Sequence, residues 1–302
     1  MQTDPPRSIK KRTISKENMR KTIKHFMKLL RPHQWLKNLL LLFPPFFGGK
    51  MLEADVLAVL IPSFVSFSLA ASSGYILNDI MDREVDKLHI SKKERPIARG
   101  DISVVIAIFL ATFLLAAALI VSSSVSRQFE AFLIIYFFIS FLYSLYFKHV
   151  AIIDIFFVSF GFLIRVLAGG EAFRVTVSSW LFLTVFVVSL FLAVAKRLGE
   201  KTIIGSEGSL HRKVLADYPP RFLEGIMWVT SSVAIVMYAL YTIENNKNLI
   251  YTVPIAFFGF LRFIYITNHK GKGDPTEALL HDPQIAITGI SWFIAVAAVV
   301  YR

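Results

Sequence analysis

The sequence predicts an all-α, polytopic membrane protein of about nine transmembrane helices, and three observations carry that prediction. The 302-residue chain is 55% hydrophobic with a mean hydropathy of +0.58, above the ~45–50% apolar content of soluble domains. Several apolar runs exceed the ~18 residues that argue for a membrane-spanning helix. The basic residues are also partitioned: 26 of the 33 Lys and Arg fall in segments 1–37, 78–101, 148–150, 196–223 and 268–283.

Taken in order, the spans read as 36–51, 54–77, 102–124, 129–147, 151–169, 178–197, 224–243, 249–267 and 284–301. Pro44 and Pro45 interrupt the first, which a membrane helix tolerates when neighbours take up the freed carbonyls. Outside the five basic segments lie only Lys50, Arg127, Arg174, Lys247 and Arg302, with Arg165 and Arg262 inside spans. By the positive-inside rule the basic side faces the cytoplasm, so an odd number of helices starts there from the N-terminus of a plasma-membrane protein. The net charge of +12 then serves topology and anionic lipid, and nucleic acid is not needed as a partner.

Residues 1–18 are polar and basic and are expected to be disordered. In 19–31, Met19, Ile23, Phe26, Met27 and Leu30 alternate with Arg20, Lys21, Lys24 and Lys28, the pattern of an interfacial amphipathic helix on an anionic leaflet. No small-residue cleavage site marks a signal peptide. No repeat or linker divides the chain, so 19–302 is read as a single membrane-embedded domain. The absence of cysteine excludes disulfides and thiolate chemistry. The seven histidines form no i, i+4 pair, which argues against zinc. Gly48-Gly49-Lys50 lacks the upstream glycine and the Ser/Thr of a phosphate-binding loop.

One stretch stands apart. LNDIMDREVDK, residues 77–87, follows the uncharged run VSFSLAASSGYIL. On a helix Asp79, Asp82 and Asp86 occupy i, i+3 and i+7, a single narrow face, while Glu84 points elsewhere. Like charges at that spacing repel, and the arrangement makes sense with a divalent cation among them. Oxygen-only ligands suit Mg²⁺, which takes one or two carboxylates plus substrate phosphates. A solvated acidic helix end is the plainer alternative. Within twenty residues come Lys87, Lys92, Lys93, Arg95 and Arg99, and cations beside a carboxylate-held metal are how proteins bind a diphosphate. Each lysine alone is explained by topology; Arg95, before Pro96, is the cation singled out for the site.

NDIMDREVD, read as N-D-x-x-D-x-x-x-D and followed by K-x-x-R-P, resembles the first aspartate-rich motif of the UbiA-type prenyltransferase superfamily. RPHQWLKN (31–38), YFKHVAIIDI (146–155), FLIRVLAGG (162–170) and VAKRLGEK (194–201) are similar to its decaprenyl-phosphate phosphoribosyltransferase branch. The resemblance implies a cytoplasm-facing active-site cavity, Mg²⁺ on Asp79, Asp82 and Asp86, and Asn78 beside them. The aromatic prenyltransferases carry a second Asp-x-x-x-Asp motif in the loop after the sixth helix. Here that loop has only Glu200, Glu207 and Asp217 and opens with Lys196–Arg197. One acidic motif with a basic pair suits phosphoribosyl pyrophosphate, which carries more phosphate than a prenyl diphosphate.

Further site residues are then expected. Lys37 and Asn38 follow Trp35, where an aromatic belt with a snorkelling Lys is the alternative and the resemblance tips Lys37 towards phosphate. Lys148 and Asp154 flank the start of the fifth span, and Asp154 inside it needs a partner. Arg262 is given the same polar-cavity role, and for Arg165 snorkelling is an equal reading. With Lys92, Lys196, Arg197 and Glu200, these complete the expected substrate-binding set. The resulting expectation is transfer of 5-phosphoribose from phosphoribosyl pyrophosphate to a polyprenyl phosphate. The alternatives are prenyl transfer to an aromatic or lipid acceptor, and a transporter, against which the rim position of the charges counts. Self-association as a homo-oligomer is left open.

Overall fold

The structure, a computed structural model, describes residues 24–88, 92–204, 213–270 and 273–302. Eight long helices dominate it: α1 Ala54–Met81, α2 Val104–Ser123, α3 Arg127–Leu145, α4 Ile153–Ala172, α5 Ser179–Ile204, α6 Phe222–Asn245, α7 Val253–Lys270 and α8 Pro283–Val300. All eight are long and apolar enough to cross a membrane, and no strand occurs among the described residues. Side-chain caps start three of them: Ser103 accepts from the Ile106 N–H, Ser126 from Phe129 and Asp282 from Ile285.

The first predicted span takes another form. Pro32–Leu42 is a 3₁₀-helix continued by a short α-helix, Phe43–Phe47. Pro44 and Pro45 lack the N–H groups that would bond the Leu40 and Leu41 carbonyls in an α-helix. The Leu40 carbonyl is bonded instead by the Phe43 N–H, one residue closer, which tightens the turn to 3₁₀. At about 2.0 Å per 3₁₀ residue and 1.5 Å per α residue the segment spans about 30 Å, the thickness of a hydrocarbon core. It crosses the bundle: Arg31 at one end meets Asp79 at the end of α1, and Met51 at the other meets Tyr301 after α8. Among the described residues this segment runs alongside the eight long helices as a ninth element through the bundle.

A 3₁₀-helix repeats every three residues, so its side chains eclipse into stripes. Trp35, Asn38 and Leu41 form the stripe against α1 and α4: Trp35 donates to Ser72, Asn38 to Ser68, and Leu41 packs on Gly169. Lys37, Leu40 and Phe43 form the next stripe and line a cavity. The close approach depends on Gly169, where an added Cβ would lie 2.0 Å from the Leu41 carbonyl oxygen. Gly169→Ala is therefore expected to displace the 3₁₀ segment and destabilise the protein by ~1–3 kcal/mol or more. A thermal midpoint equal to wild type would show that the contact is loose.

Small residues let the other helices approach. Ser63, Ser66, Ser68, Ser72, Ser73 and Gly74 of α1 line buried contacts, Ser73 donating to the Ala111 carbonyl of α2 and Gly74 facing Ser140 of α3. Residues 24–30 are helical, and Leu29 is fully buried with Ile76, Ile97 and Leu114. This part of the predicted interfacial helix thus docks on the bundle through Leu29, outside the predicted stripe, together with Leu30 of that stripe, while Met27 of the stripe is exposed. The predicted disordered tail, 1–18, lies outside the described residues.

Described residues of all five basic segments lie at one end of the bundle. Arg31 and Arg95 reach Asp79, Lys148 reaches Asp82, and Lys196 reaches Asp274 of the segment between α7 and α8. The loops joining α3 to α4 and α5 to α6 are tied there by Tyr218 and Asp154.

Candidate active site

α1 ends at Met81 and the chain bends at Asp82 before continuing as Arg83–Leu88. Asp79 and Asp86 are 2% exposed, whereas the Asp82 side chain is 21% exposed, so Asp82 is the aspartate most open to a ligand. Each carboxylate is matched by a cation. The Arg95 Nη1 donates to Asp79 Oδ1 at 2.9 Å and to Asp86 Oδ2 at 2.6 Å, bridging the two. Arg31 Nη2 adds a bond to Asp79 Oδ1 at 2.5 Å, and Lys148 Nζ one to Asp82 Oδ1 at 2.5 Å. Asn78 donates to Asp82 Oδ2 at 3.1 Å. Burial, with the charges of Asp79 and Asp82 nearby, holds the Asp86 carboxyl above its ordinary range against the pull of Arg95.

Local backbone explains why these cations converge. Pro96 disfavours helical geometry at Arg95, which is extended (φ −68°, ψ 139°) and turns the chain back over the aspartates. Arg31 sits in the left-handed region at φ 52°, an uncommon place for an arginine. Its guanidinium lies 5.2 Å over the Tyr75 ring on the way to Asp79. Lys87 and Arg99 turn instead to Glu84 and to Glu94 and Asp101. Lys92 opens a short 3₁₀ turn just before Arg95.

The residues flanking the start of α4 separate into two networks. Lys148 belongs to the aspartates. Asp154, fully buried, pairs with Arg197 Nε and accepts from the Tyr218 hydroxyl at 2.6 Å. Arg197, 2% exposed, also donates to Glu200 at 2.8 Å and to the Tyr143 hydroxyl at 2.7 Å. Burial and the bond to Asp154 push the Tyr218 hydroxyl up, so it remains a protonated donor. Its oxygen accepts from the N–H of Ile152, itself held at φ 69°. Arg197 and Glu200 are thereby engaged inside the protein, and Lys196, 39% exposed on the same helix, faces Asp274 at 3.4 Å.

Arg165 does not snorkel. It is 4% exposed and donates to Asn38 Oδ1, the Gly161 carbonyl and the Tyr136 hydroxyl, because its face of α4 turns to the bundle axis. Asn38 is fully buried between Arg165 and Ser68. Arg262 is not brought to the aspartates either: it pairs with Asp282 at 2.7 Å and stacks over Tyr265. Arg31, Tyr75, Tyr218 and Asp274 are the additions that sequence reasoning missed; only Arg31, first residue of RPHQWLKN, carried a signal.

Beside this polar end opens a cavity of about 480 Å³ between the 3₁₀ segment and α5 to α8. Leu40, Phe43 and Phe47 form one wall, with Val185, Tyr238 and Trp292 among the residues opposite, and Lys37 is the only charged lining residue among the described residues. Pro275 and Leu279, next to Asp274, also line it. Such a volume falls within the ~300–1,000 Å³ of small-molecule sites, and its lining suits a hydrocarbon chain.

Comparison with known proteins agrees with this architecture. The model of the UbiA prenyltransferase family matches residues 42–282. The chain is 33% identical over 292 residues to a decaprenyl-phosphate phosphoribosyltransferase of Mycolicibacterium smegmatis, covering 91% of this chain and 92% of the relative. It is 32% identical over 289 residues to the protein of that name from Corynebacterium glutamicum, covering 91% and 86%. Among solved structures, a UbiA homolog from Archaeoglobus fulgidus bound to GPP and Mg²⁺ superposes with a TM-score of 0.71 at 21% identity, covering 92% of this chain and 99% of that one.

Proposed function

The chain belongs to the UbiA prenyltransferase family, and we propose that it transfers 5-phosphoribose from phosphoribosyl pyrophosphate to a polyprenyl phosphate, releasing pyrophosphate. The observation that carries the reading is the adjacency of two unlike seats. Three aspartates with Arg31, Arg95 and Lys148 form a polar seat for a diphosphate, and an apolar cavity opens beside it for an isoprenoid. The names of the relatives point to the same donor and acceptor.

The all-oxygen donor set of Asp79, Asp82 and Asp86 fits Mg²⁺ that completes its shell with phosphate oxygens. No group of three His, Asp or Glu side chains stands ready-made for a metal among the described residues; the three aspartates rest on Arg31, Arg95 and Lys148 and would have to turn from them towards the ion. When bound there, Mg²⁺ would neutralise the leaving pyrophosphate. The chain's own groups do the rest. Arg31, Arg95 and Lys148 exchange their carboxylate contacts for phosphate oxygens and hold the donor. The bond from ribose C1 to the pyrophosphate oxygen breaks with its electron pair leaving on pyrophosphate. A phosphate oxygen of the acceptor forms the new bond to C1 from the opposite face. The acceptor is already anionic, so no general base is required, and catalysis is positioning and electrostatics. On this reading the aspartate end and the N-terminus face the cytoplasm, where a water-soluble donor meets a lipid.

The test is transfer of label from ribose-labelled phosphoribosyl pyrophosphate into organic-extractable lipid by purified protein with Mg²⁺ and polyprenyl phosphate. Label that requires all three supports the reading. No label from well-folded protein, with label appearing from prenyl diphosphates and aromatic acceptors instead, replaces it with prenyl transfer. Arg95→Ala adds a prediction that needs no turnover: with the Asp79–Asp86 bridge gone, Mg²⁺ is expected to raise the thermal midpoint more than in wild type. An equal rise would detach Arg95 from the metal seat.

A further inference from the structure

We propose that Tyr218 is a positioning residue for Lys148: by holding a strained turn at Ile152 it fixes the loop between α3 and α4 in the form that aims Lys148 at Asp82. The proposal rests on the reading of Asp82 and Lys148 as parts of the Mg²⁺ and diphosphate seat.

The turn is unusual for its residue. Ile152 has φ 69° and ψ −50°, and the Ile153 N–H bonds the Ala151 carbonyl across it at 2.8 Å. This is the γ-turn of positive φ, a rare and strained form. Here its centre is β-branched, a residue type for which positive φ is an outlier. Such a conformation persists only where its surroundings impose it. The Ile152 side chain does not impose it, being 46% exposed. The Tyr218 hydroxyl does: it accepts from the Ile152 N–H at 2.7 Å and donates to Asp154 Oδ1 at 2.6 Å. One group thus grips the centre of the turn and the second residue of α4. Tyr218 is itself fixed. It is buried in a cluster with Ile155, Leu215 and Met227, its ring stacks with Phe222, and its carbonyl accepts from Lys201 Nζ at 2.7 Å.

The turn decides where Lys148 goes. It folds the chain back so that Phe147 stacks on Phe157 of α4, with ring centroids 4.2 Å apart. Lys148 follows in the single 3₁₀ turn Phe147–His149 and is buried with Nζ on Asp82. With Ile152 at an ordinary negative φ, the chain would enter α4 from another direction and carry Phe147 and Lys148 away from these contacts. The segment after α5 therefore reaches the aspartates through one hydroxyl and a four-residue stretch of loop.

The experiment reads the Mg²⁺ concentration that gives half of the Mg²⁺-induced rise in thermal midpoint. It compares the full chain as wild type, Tyr218→Phe, Lys148→Met and the pair. Tyr218→Phe is expected to lower that concentration about three- to tenfold, because a loosened Lys148 competes less for Asp82. Full loss of a charge-assisted contact is worth about ten- to a hundredfold. Added to Lys148→Met, Tyr218→Phe is expected to change nothing further, which shows that the hydroxyl acts through Lys148. Ile152→Gly, which adopts positive φ freely, is expected to return the Tyr218→Phe value to that of wild type, although the bond to Asp154 stays lost. An unchanged Mg²⁺ value in Tyr218→Phe overturns the proposal, as does a shift that persists in the Lys148→Met background or resists Ile152→Gly. If Tyr218→Phe alone does not fold, recovery of a folded chain by Ile152→Gly is itself the rescue. Failure to recover assigns the hydroxyl's worth to Asp154 and overturns the proposal. A wild type with no Mg²⁺ response removes the seat and the proposal with it. The readout needs no turnover: coupling without label transfer would refute the proposed reaction and leave the positioning role standing, and label transfer without coupling would do the reverse.

Discussion

Asp82→Asn is expected to abolish transfer and leave the fold intact. The substitution keeps the size of the side chain and one carbonyl oxygen that can go on accepting from Lys148, gives up the acceptor of the weaker 3.1 Å bond from Asn78, and removes one negative charge. Asp82 is chosen over its neighbours because its side chain is 21% exposed, against 2% and 3% for Asp79 and Asp86. Changes at those two would strand Arg31 and Arg95 as well and confound folding with chemistry. Losing a group that helps neutralise a leaving pyrophosphate should cost on the order of 10³-fold in kcat/KM, about 4 kcal/mol of transition-state stabilisation. The measurement is label transfer against Mg²⁺ concentration, with the thermal midpoint as the folding control. Activity near wild type with an unchanged Mg²⁺ dependence would remove Asp82 from the site. Lys148→Met sharpens the comparison: it frees the Asp82 carboxylate of its cation, so the Mg²⁺ requirement should be met at lower concentration even if phosphate binding weakens.

The residues that were legible in the sequence share a cause. Spans announce themselves because lipid imposes a length and an apolar composition, and α1 to α8 fall within a few residues of their predicted bounds except at the longer C-terminal end of α5. The Asp79–Asp82–Asp86 stripe and Arg95 were legible because spacing and a following proline are local. The rest depends on which way a helix is turned. Asp82 with Lys148, and Asp154 with Arg197, are 66 and 43 residues apart, and no periodicity says that Lys148 and Asp154, six residues apart, point to different partners. Arg262 was read towards the cavity from its depth in a span, and depth leaves rotation unspecified; α7 turns it to Asp282. The 3₁₀ form of the first crossing was illegible for a related reason. The prolines were visible, but the space that receives the tightened chain is made by Gly169, far along the sequence.

The Arg197 network gives the second large effect, and its asymmetry is the informative part. Arg197→Met leaves Asp154, which is fully buried, with the Tyr218 hydroxyl as its remaining hydrogen-bond donor. An uncompensated buried carboxylate costs ~3–5 kcal/mol. Asp154→Leu should cost less, because Arg197 keeps Glu200 and Tyr143 and the Glu200 side chain is 31% exposed. Removing both charges, Asp154→Leu with Arg197→Met, should recover much of the loss, since replacing a buried pair by apolar groups is often neutral. The order of thermal midpoints is therefore wild type near the double variant, then Asp154→Leu, then Arg197→Met lowest. If Arg197→Met were the mildest of the three, the pair would not be the buried element that ties α4 to α5. The double variant also decides the role that its sequence suggested for Arg197. Folded and still transferring label, it confines Arg197 to holding α4, α5 and the 213–218 segment together. Folded and inactive, it makes Arg197 a substrate group, released from Asp154 and Glu200 when the donor's phosphates arrive.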